Sequence, residues 1–425
     1  MAGAIQETFE LVDGLKSTAV IRVIGVGGGG CNTVNQMAQG GINGVEFVVA
    51  NTDRDHLEKC VTTNQLQLGA ALTRGLGAGS NPEIGRQSAD EDRERIAEML
   101  EGTDLLFITA GMGGGTGTGA APVIAEVAKE MKILTVAVVT KPFPSEGKKR
   151  MAQATQGITQ LQQHVDSLIV IPNEKLKLVL GGSVSLMNAF KAANDVLQNA
   201  VLGISDLITR PGEINLDFAD VRTVMGQRGM AMMGIGKATG EDRAKRAVEA
   251  ALSSPLLDDI EIRGARGILV NITCDETLTL DEHDHIMQHV GDVASEEADI
   301  KCGTSIDPSL NGELRVTVVA TGLASSRQEA LPAHVARFPD ANARRAMVPG
   351  LGGVAQMGHM GHPAAPVQPR QPQMTPRVPG LRPMGADSSY ARPQMAATGT
   401  HGKNWLEELS DDVLDVPAFL RAQAD

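Results

Sequence analysis

The chain has little that would suit a secreted, metal-stapled or membrane-spanning protein. Its four cysteines, Cys31, Cys60, Cys274 and Cys302, lie far apart with no paired spacing. That excludes both a zinc-finger pattern and a disulfide framework, and the four read as reduced cytosolic thiols. No apolar run approaches the roughly 20 residues of a membrane-spanning helix. Residues Met1 to Asp13 carry acids and no long apolar stretch, so no signal peptide is expected. Positive charge is also short: the net charge is -13, which argues against the phosphate attraction that nucleic-acid-binding domains need.

What is present is a soluble globular composition, 42% apolar and 21% charged over 425 residues, enough for two ordinary domains and flexible extras. The composition changes after Gly322. More than half of the 20 prolines fall between Pro332 and Pro393, among Met, Gln, Ala and Gly, and Lys and Arg outnumber Asp and Glu from Ser325 to Lys403. Such a segment buries too little to fold. It reads as a tether whose r.m.s. span is roughly 50 Å. Beyond it, Asn404 to Arg421 is acidic, with Leu406, Leu409, Val413, Leu414, Val416, Phe419 and Leu420 interspersed, the pattern of a short motif that docks in a partner's groove.

Ahead of Gly322, apolar runs at Ala19–Val26, Val45–Ala50, Leu105–Ala110, Ile133–Thr140 and Leu168–Ile171 alternate with helical patterns. This predicts a parallel sheet covered on both faces. From Ser183, read as a helix cap, Leu186, Phe190, Ala193, Leu197, Val201, Ile204 and Ile208 recur three and four apart. The spacing predicts one long, largely buried helix ending near Arg210-Pro211-Gly212. Gly267–Thr273 and Leu314–Ala320 supply strands for a smaller second domain.

Two glycine-rich strings each follow a strand. Gly25-Val-Gly-Gly-Gly-Gly-Cys-Asn32 can cradle phosphates, because no Cβ blocks approach to its N–H groups and a helix start favours anions. Gly25, Gly27 and Gly30 also satisfy the dinucleotide fingerprint, and Asp53 stands where a ribose-binding acid is expected. An NAD-dependent oxidoreductase is therefore a rival at this point. A Walker A loop is not, since Cys31 and Asn32 occupy the Lys and Ser/Thr positions. The second string, Gly111 to Gly119, turns the reading. It leads into Ala120-Ala121-Pro122 as the start of another helix, and two cradles at neighbouring strand ends suit a triphosphate with magnesium, to which the hydroxyls of Thr116 and Thr118 add donors.

The string Gly113-Gly-Gly-Thr-Gly-Thr-Gly119 resembles the signature of the FtsZ family of bacterial cell-division GTPases, relatives of tubulin. The likeness runs from about Ala19 to Gly322 and resumes in the last sixteen residues. The resemblance implies an α/β tubulin/FtsZ fold: an N-terminal tail (1–18), a Rossmann-like parallel-sheet GTP-binding domain (19–182), a central helix (183–210), a smaller α+β second domain (211–322), a disordered linker (323–403) and a partner-binding peptide (404–425). It implies that GTP, GDP after turnover, and Mg²⁺ are bound by Gly27, Gly28, Gly29, Cys31, Asn32, the γ-phosphate loop with Ala78 and Gly79, and Gly113, Gly114, Gly115, Thr116, Gly117, Thr118 and Gly119. Glu146 and Arg150 match ribose-contacting positions, and Asn173, Phe190, Asn194 and Asp195 match base-binding ones. The metal is expected to be held by the nucleotide and waters.

Asn215, Asp217 and Asp220 match the family's catalytic loop, although Asp217 also reads as an ordinary helix cap. A helix of some 20 residues separates this loop from the phosphate strings by on the order of 30 Å, so head-to-tail stacking is needed to bring it to a neighbour's nucleotide. The resemblance further implies a homopolymer in the cytoplasm, at the mid-cell division ring beneath the inner membrane. Partners of the FtsA and ZipA type would bind through residues 410–425, with neither nucleic acid nor direct membrane insertion involved. A nucleotide-gated adaptor that neither hydrolyses nor assembles is the other rival.

Overall fold

In a computed structural model of the chain, the described residues are 19–42, 44–181, 184–210, 212–257 and 262–323. The tail, the Pro-rich tether, the terminal peptide and Ser183 lie outside them. Ten strands follow in chain order: β1 (Ile21–Val26), β2 (Val45–Asn51), β3 (Gln65–Gln67), β4 (Leu105–Gly111), β5 (Leu134–Lys141), β6 (Ser167–Pro172), β7 (Gly229–Ala238), β8 (Gly267–Cys274), β9 (Asp299–Ile306) and β10 (Leu314–Leu323). They form one sheet in the order β3-β2-β1-β4-β5-β6-β7-β10-β8-β9. Pairing is parallel from β3 through to β7 and again between β8 and β9, while β10 runs antiparallel to both β7 and β8. The expected parallel sheet is thus present, continued by a mixed portion rather than ending at β6.

The unbroken apolar runs have a direct cause. In β1, Ile24 and Val26 enter one core layer while Ile21 and Val23 enter the other, and β4 divides Leu106, Ile108 and Ala110 from Leu105 and Phe107 in the same way. Both faces are covered, so neither strand can alternate with polar residues. β7 escaped prediction because its sequence is rich in Gly and holds one β-branched residue, Ile235, and no aromatic. Packing explains its glycines: a Cβ on Gly234 or Gly236 would lie 2.0 Å from the Ala251 carbonyl oxygen or 1.9 Å from that of Ala247. The helix Arg243–Leu252 therefore rests directly on the β7 backbone.

The central helix runs from Leu186 to Thr209. Its cap is Ser185, whose hydroxyl accepts the Asn188 N–H at 3.2 Å, rather than the Ser183 expected from sequence. Leu197, Ala200, Val201, Ile204 and Leu207 are buried against the sheet, but the first turns are not: Met187 is 81% and Phe190 41% exposed. The helix is therefore a core element over its lower part and a surface element at its start. Asn271, on β8, donates from Nδ2 to the Gly203 carbonyl of this helix at 2.9 Å and accepts from the Ser305 hydroxyl at 3.1 Å, all buried. Removing both bonds with Asn271→Ala should cost about 1–3 kcal/mol. A thermal melt should fall by several degrees, and an unchanged midpoint would show that the clamp is unimportant.

Candidate functional site

β1 and β4 are direct neighbours, with Val26 opposite Ala110, and the sheet extends to β2 on one side and β5 on the other. The chain direction of the crossovers reverses here, and in parallel sheets ligands bind at the carboxyl ends of such strands. Both glycine strings emerge at this point. The helix Gly27–Gln39 starts immediately after β1, and the helix Thr116–Glu130 starts inside the second string, four residues before the Ala120 expected from sequence. The strings touch: a Cβ on Gly27 would lie 2.7 Å from the Gly117 nitrogen, and one on Gly29 3.2 Å from the Gly111 nitrogen.

Neither helix has a side-chain cap or an acid in its first turn. The first N–H groups of a helix have no partner within it, and the positive ends of two helix dipoles meet here with no acid in either first turn. Most glycines around them are demanded by packing; Gly119 could not carry a Cβ because Pro82 O would be 1.9 Å away. Gly114 differs, with no protein atom within 4 Å of such a Cβ and no positive φ. Nothing inside the protein requires glycine there, whereas a ligand seated against the N–H groups would.

A continuous cleft extends from this cradle. One part is lined by Gly29, Thr140, Glu146, Asn173, Phe190 and Asn194, and the other by Gly79, Asn81, Gly113, Lys149, Arg150 and Gln153, with Glu146 and Arg150 bordering both. Glu146 accepts the Phe143 N–H at 2.8 Å and pairs with Arg150 Nε at 3.2 Å, which fixes both side chains. Phe190 meets Phe143 edge-on, ring centroids 5.5 Å apart, leaving a face for a stacked base. Asn173 is 3% exposed and its Oδ1 has no partner. A buried, unpaired acceptor of this kind costs roughly 1–3 kcal/mol and fits a site that a ligand N–H completes.

Several residues singled out from sequence have narrower parts than expected. Asp53 accepts the His56 N–H at 3.1 Å and caps the helix Arg54–Leu57, a structural part that accounts for an acid at this position without a ribose. The Thr118 hydroxyl is buried and accepts the Gly113 N–H at 2.8 Å; it braces the loop instead of facing the cleft. Cys31 turns its thiol into the core, toward the Gly25 and Ala50 carbonyls, leaving only its main chain for a ligand. Asp195 receives Gln36 Nε2 at 2.5 Å on one oxygen, and Asn32 receives His56 Nε2 at 3.0 Å. Ala78 is buried against Gly115, and Gly79 is open, at φ 56°.

Other contributors were missed. Thr52, just beyond β2, shares a hydroxyl hydrogen bond of 2.7 Å with Thr116, and Thr33 donates to Asn194 Oδ1 at 3.0 Å; Thr116 and Asn194 were expected from sequence, Thr52 and Thr33 were not. These pairings link positions 64 and 161 residues apart, which no local pattern announces.

Asn215, Asp217 and Asp220 are brought together, but away from the cleft. The 24-residue central helix is about 36 Å long at 1.5 Å per residue, with Phe190 near its start and these residues beyond its end. Asn215 closes a loop through both bonds to the Gly212 main chain at 2.9 Å. Asp217 caps the helix Phe218–Met225 through the Asp220 N–H at 2.8 Å, as its bland sequence reading had it. Asp220 pairs with Lys301 Nζ at 3.1 Å, and that ammonium holds its carboxyl below the usual carboxylate range. Among the described residues no group of three or more His, Cys, Asp or Glu side chains is placed to hold a metal, and no helix is long and apolar enough to cross a membrane.

A Rossmann-type order joined through a long helix to a mixed sheet, with two converging glycine-rich helix starts, defines a GTPase domain of the tubulin class. Residues 20–181 match the Tubulin/FtsZ family GTPase domain, and residues 229–324 match the FtsZ family C-terminal domain. The chain is 53% identical over 424 residues to a cell division protein FtsZ of Pseudomonas aeruginosa, covering 98% of this chain and all of that one. A cell division protein FtsZ of Pseudomonas putida is 62% identical over 315 residues, 74% of this chain and 79% of its own. A solved FtsZ dimer of M. jannaschii superposes with a TM-score of 0.70 at 47% identity, over 72% of this chain and 89% of that one. The chain belongs to the Tubulin/FtsZ family, as a member of its FtsZ branch.

Proposed function

We propose that the cleft binds GTP with Mg²⁺ and that the chain hydrolyses it as it assembles head to tail into filaments of the bacterial division ring. The observation that carries this reading is the convergence of two uncapped helix starts, with no first-turn acid on either, beside an open Gly114. One such start suits a phosphate; two adjacent ones suit a polyphosphate. The main-chain N–H groups of Gly27 to Gly29 and Gly113 to Gly115 hold the phosphates, and the loop with Ala78 and Gly79 covers the end of the chain of phosphates. Glu146 and Arg150 border the ribose. Phe190 stacks on the base, Asn194 reads its edge, and Asn173 Oδ1 takes a base N–H. Asp195 keeps one oxygen beyond its bond to Gln36 for the guanine edge, which favours guanine over adenine.

Bound magnesium would offset phosphate charge; with hydroxyl and main-chain donors around the cradle and no cluster of three or more His, Cys, Asp or Glu side chains placed for a metal among the described residues, the phosphates and waters would hold it. Catalysis uses Asn215, Asp217 and Asp220 of the next copy, since the part of the central helix between Phe190 and its end at Thr209 holds the chain's own set on the order of 30 Å away. Their carboxylates orient the attacking water, and Asp220, already ionised through its contact with Lys301, need not be a strong base. The solved relative described as a dimer supports self-association, and the relatives named as cell division proteins support the setting. The domain limits given from sequence, the cytoplasmic mid-cell location and docking of residues 410–425 to FtsA- and ZipA-type partners belong to the same proposal.

Thermal shift separates this from the dinucleotide reading. GTP with Mg²⁺ at 100 times its Kd should stabilise by about 2.7 kcal/mol, with NAD and ATP giving little. Stabilisation by NAD alone would overturn the assignment.

A further inference from the structure

We propose that Cys31 and Cys60 form a reversible disulfide that controls the first glycine-rich helix start. Cys31 is wholly buried in the fifth position of the helix Gly27–Gln39, and half-buried Cys60 packs against the same core cluster. The Cys60 thiol donates to the His56 carbonyl at 3.4 Å, and each of the two thiols perturbs the ionisation of the other. Flanking bonds hold their segments in register: His56 Nε2 meets Asn32 Oδ1 at 3.0 Å on one side, and Asn35 Oδ1 accepts the Val61 N–H at 2.7 Å on the other. Asn35 lies one helical turn beyond Cys31, so the residue next to Cys60 is tied to the turn that carries its partner thiol. The other two cysteines, Cys274 and Cys302, lie outside this cluster and pack in the core around β8 and β9.

A low-molecular-weight disulfide supplies the oxidant. The exposed edge of Cys60 reacts first: its thiolate attacks one sulfur of the reagent, expels one thiol and leaves a mixed disulfide. The Cys31 thiolate then attacks Cys60 Sγ and expels the second thiol, so two protein thiols are oxidised and one reagent disulfide is reduced. Burial pushes both protein thiols above their ordinary range, so closure is slow near neutrality and quickens as pH rises, registering sustained oxidation. The new bond of about 2.05 Å draws Cys31 away from the Gly25 and Ala50 carbonyls it now meets at 3.6 and 3.7 Å. It also shifts His56, whose ring lies 3.3 Å from a Cβ built on Gly28. Both movements disturb the phosphate cradle. The bond itself stands apart from the nucleotide assignment; its effect on GTP rests on that reading.

The full-length chain, incubated with oxidised glutathione at pH 8.5 and digested without reduction, should yield one peptide pair joining Cys31 to Cys60, reopened by dithiothreitol. GTP affinity of the oxidised form should fall by about tenfold and recover on reduction. Cys60→Ser should bind GTP normally and be indifferent to the oxidant. Recovery of only a glutathione adduct, or of a pair involving Cys274 or Cys302, would overturn the proposal. A Cys31–Cys60 bond that leaves GTP affinity unchanged would overturn the control. Absence of GTP binding by the reduced chain would instead sink the nucleotide assignment and leave the bond to be judged by the peptide pair.

Discussion

Asp220→Ala should leave GTP affinity within about twofold of the parent while phosphate release falls by about 100-fold or more, the scale set by losing a group that positions the attacking nucleophile. The side chain makes this a clean test. It is partly exposed, it lies beyond the far end of the central helix from Phe190, and its recorded partner is Lys301 at 3.1 Å. The helix cap is unaffected, because Asp217 accepts the main-chain N–H of residue 220. Asp217→Ala is less informative: it removes that cap, at about 1 kcal/mol, along with any catalytic part. Titration provides a second handle. Lys301 lowers the Asp220 pKa below the ordinary 3.8, so the stabilisation from this pair is present above the unfolded value and is lost as pH falls through the lower folded one. Turnover should therefore show no acid limb from Asp220 between about pH 5 and 8. Normal turnover by Asp220→Ala would remove the residue from the mechanism.

Gly114→Ala carries the other large effect. The added methyl meets no protein atom within 4 Å and the backbone there needs no left-handed conformation, so the nucleotide-free melting point should hold within about 1 °C, as for a surface substitution worth under 0.5 kcal/mol. GTP affinity should nevertheless drop by about 100-fold, some 2.7 kcal/mol, because the methyl occupies the phosphate seat. Gly119→Ala reverses the pattern. Its Cβ would stand 1.9 Å from the Pro82 carbonyl oxygen, so the loss appears as a lowered melting point without any ligand. If Gly114→Ala bound GTP as well as the parent, the phosphates could not lie against this string.

The contrast between those glycines shows how far the sequence could be read. Both strings were visible because each follows an apolar strand buried on both sides, and a run of glycines at a strand end has few meanings. Which glycine serves a ligand and which serves packing was not visible, since Gly119 is set by Pro82 and Gly85 by Gly115, contacts between separate segments. The same limit applies to the cleft. Phe190 and Asn194 stand four apart on one helix and could be paired by spacing, whereas the Thr52–Thr116 and Thr33–Asn194 bonds depend on how distant elements meet. β9 is half exposed and β7 is built on glycines that admit a helix, so neither carries a strand pattern of its own. The separation of the Asp220 loop from the cradle, by contrast, followed from helix length alone.

Phosphate release per chain, measured across chain concentration at saturating GTP and Mg²⁺, tests the central claim most directly. If Asn215, Asp217 and Asp220 act on a neighbour's nucleotide, the rate per chain is near zero when dilute and rises steeply above a threshold at which sedimentable polymer also forms. A rate per chain that stays constant from dilute to concentrated solution would mean that each copy completes its own site, contradicting the account.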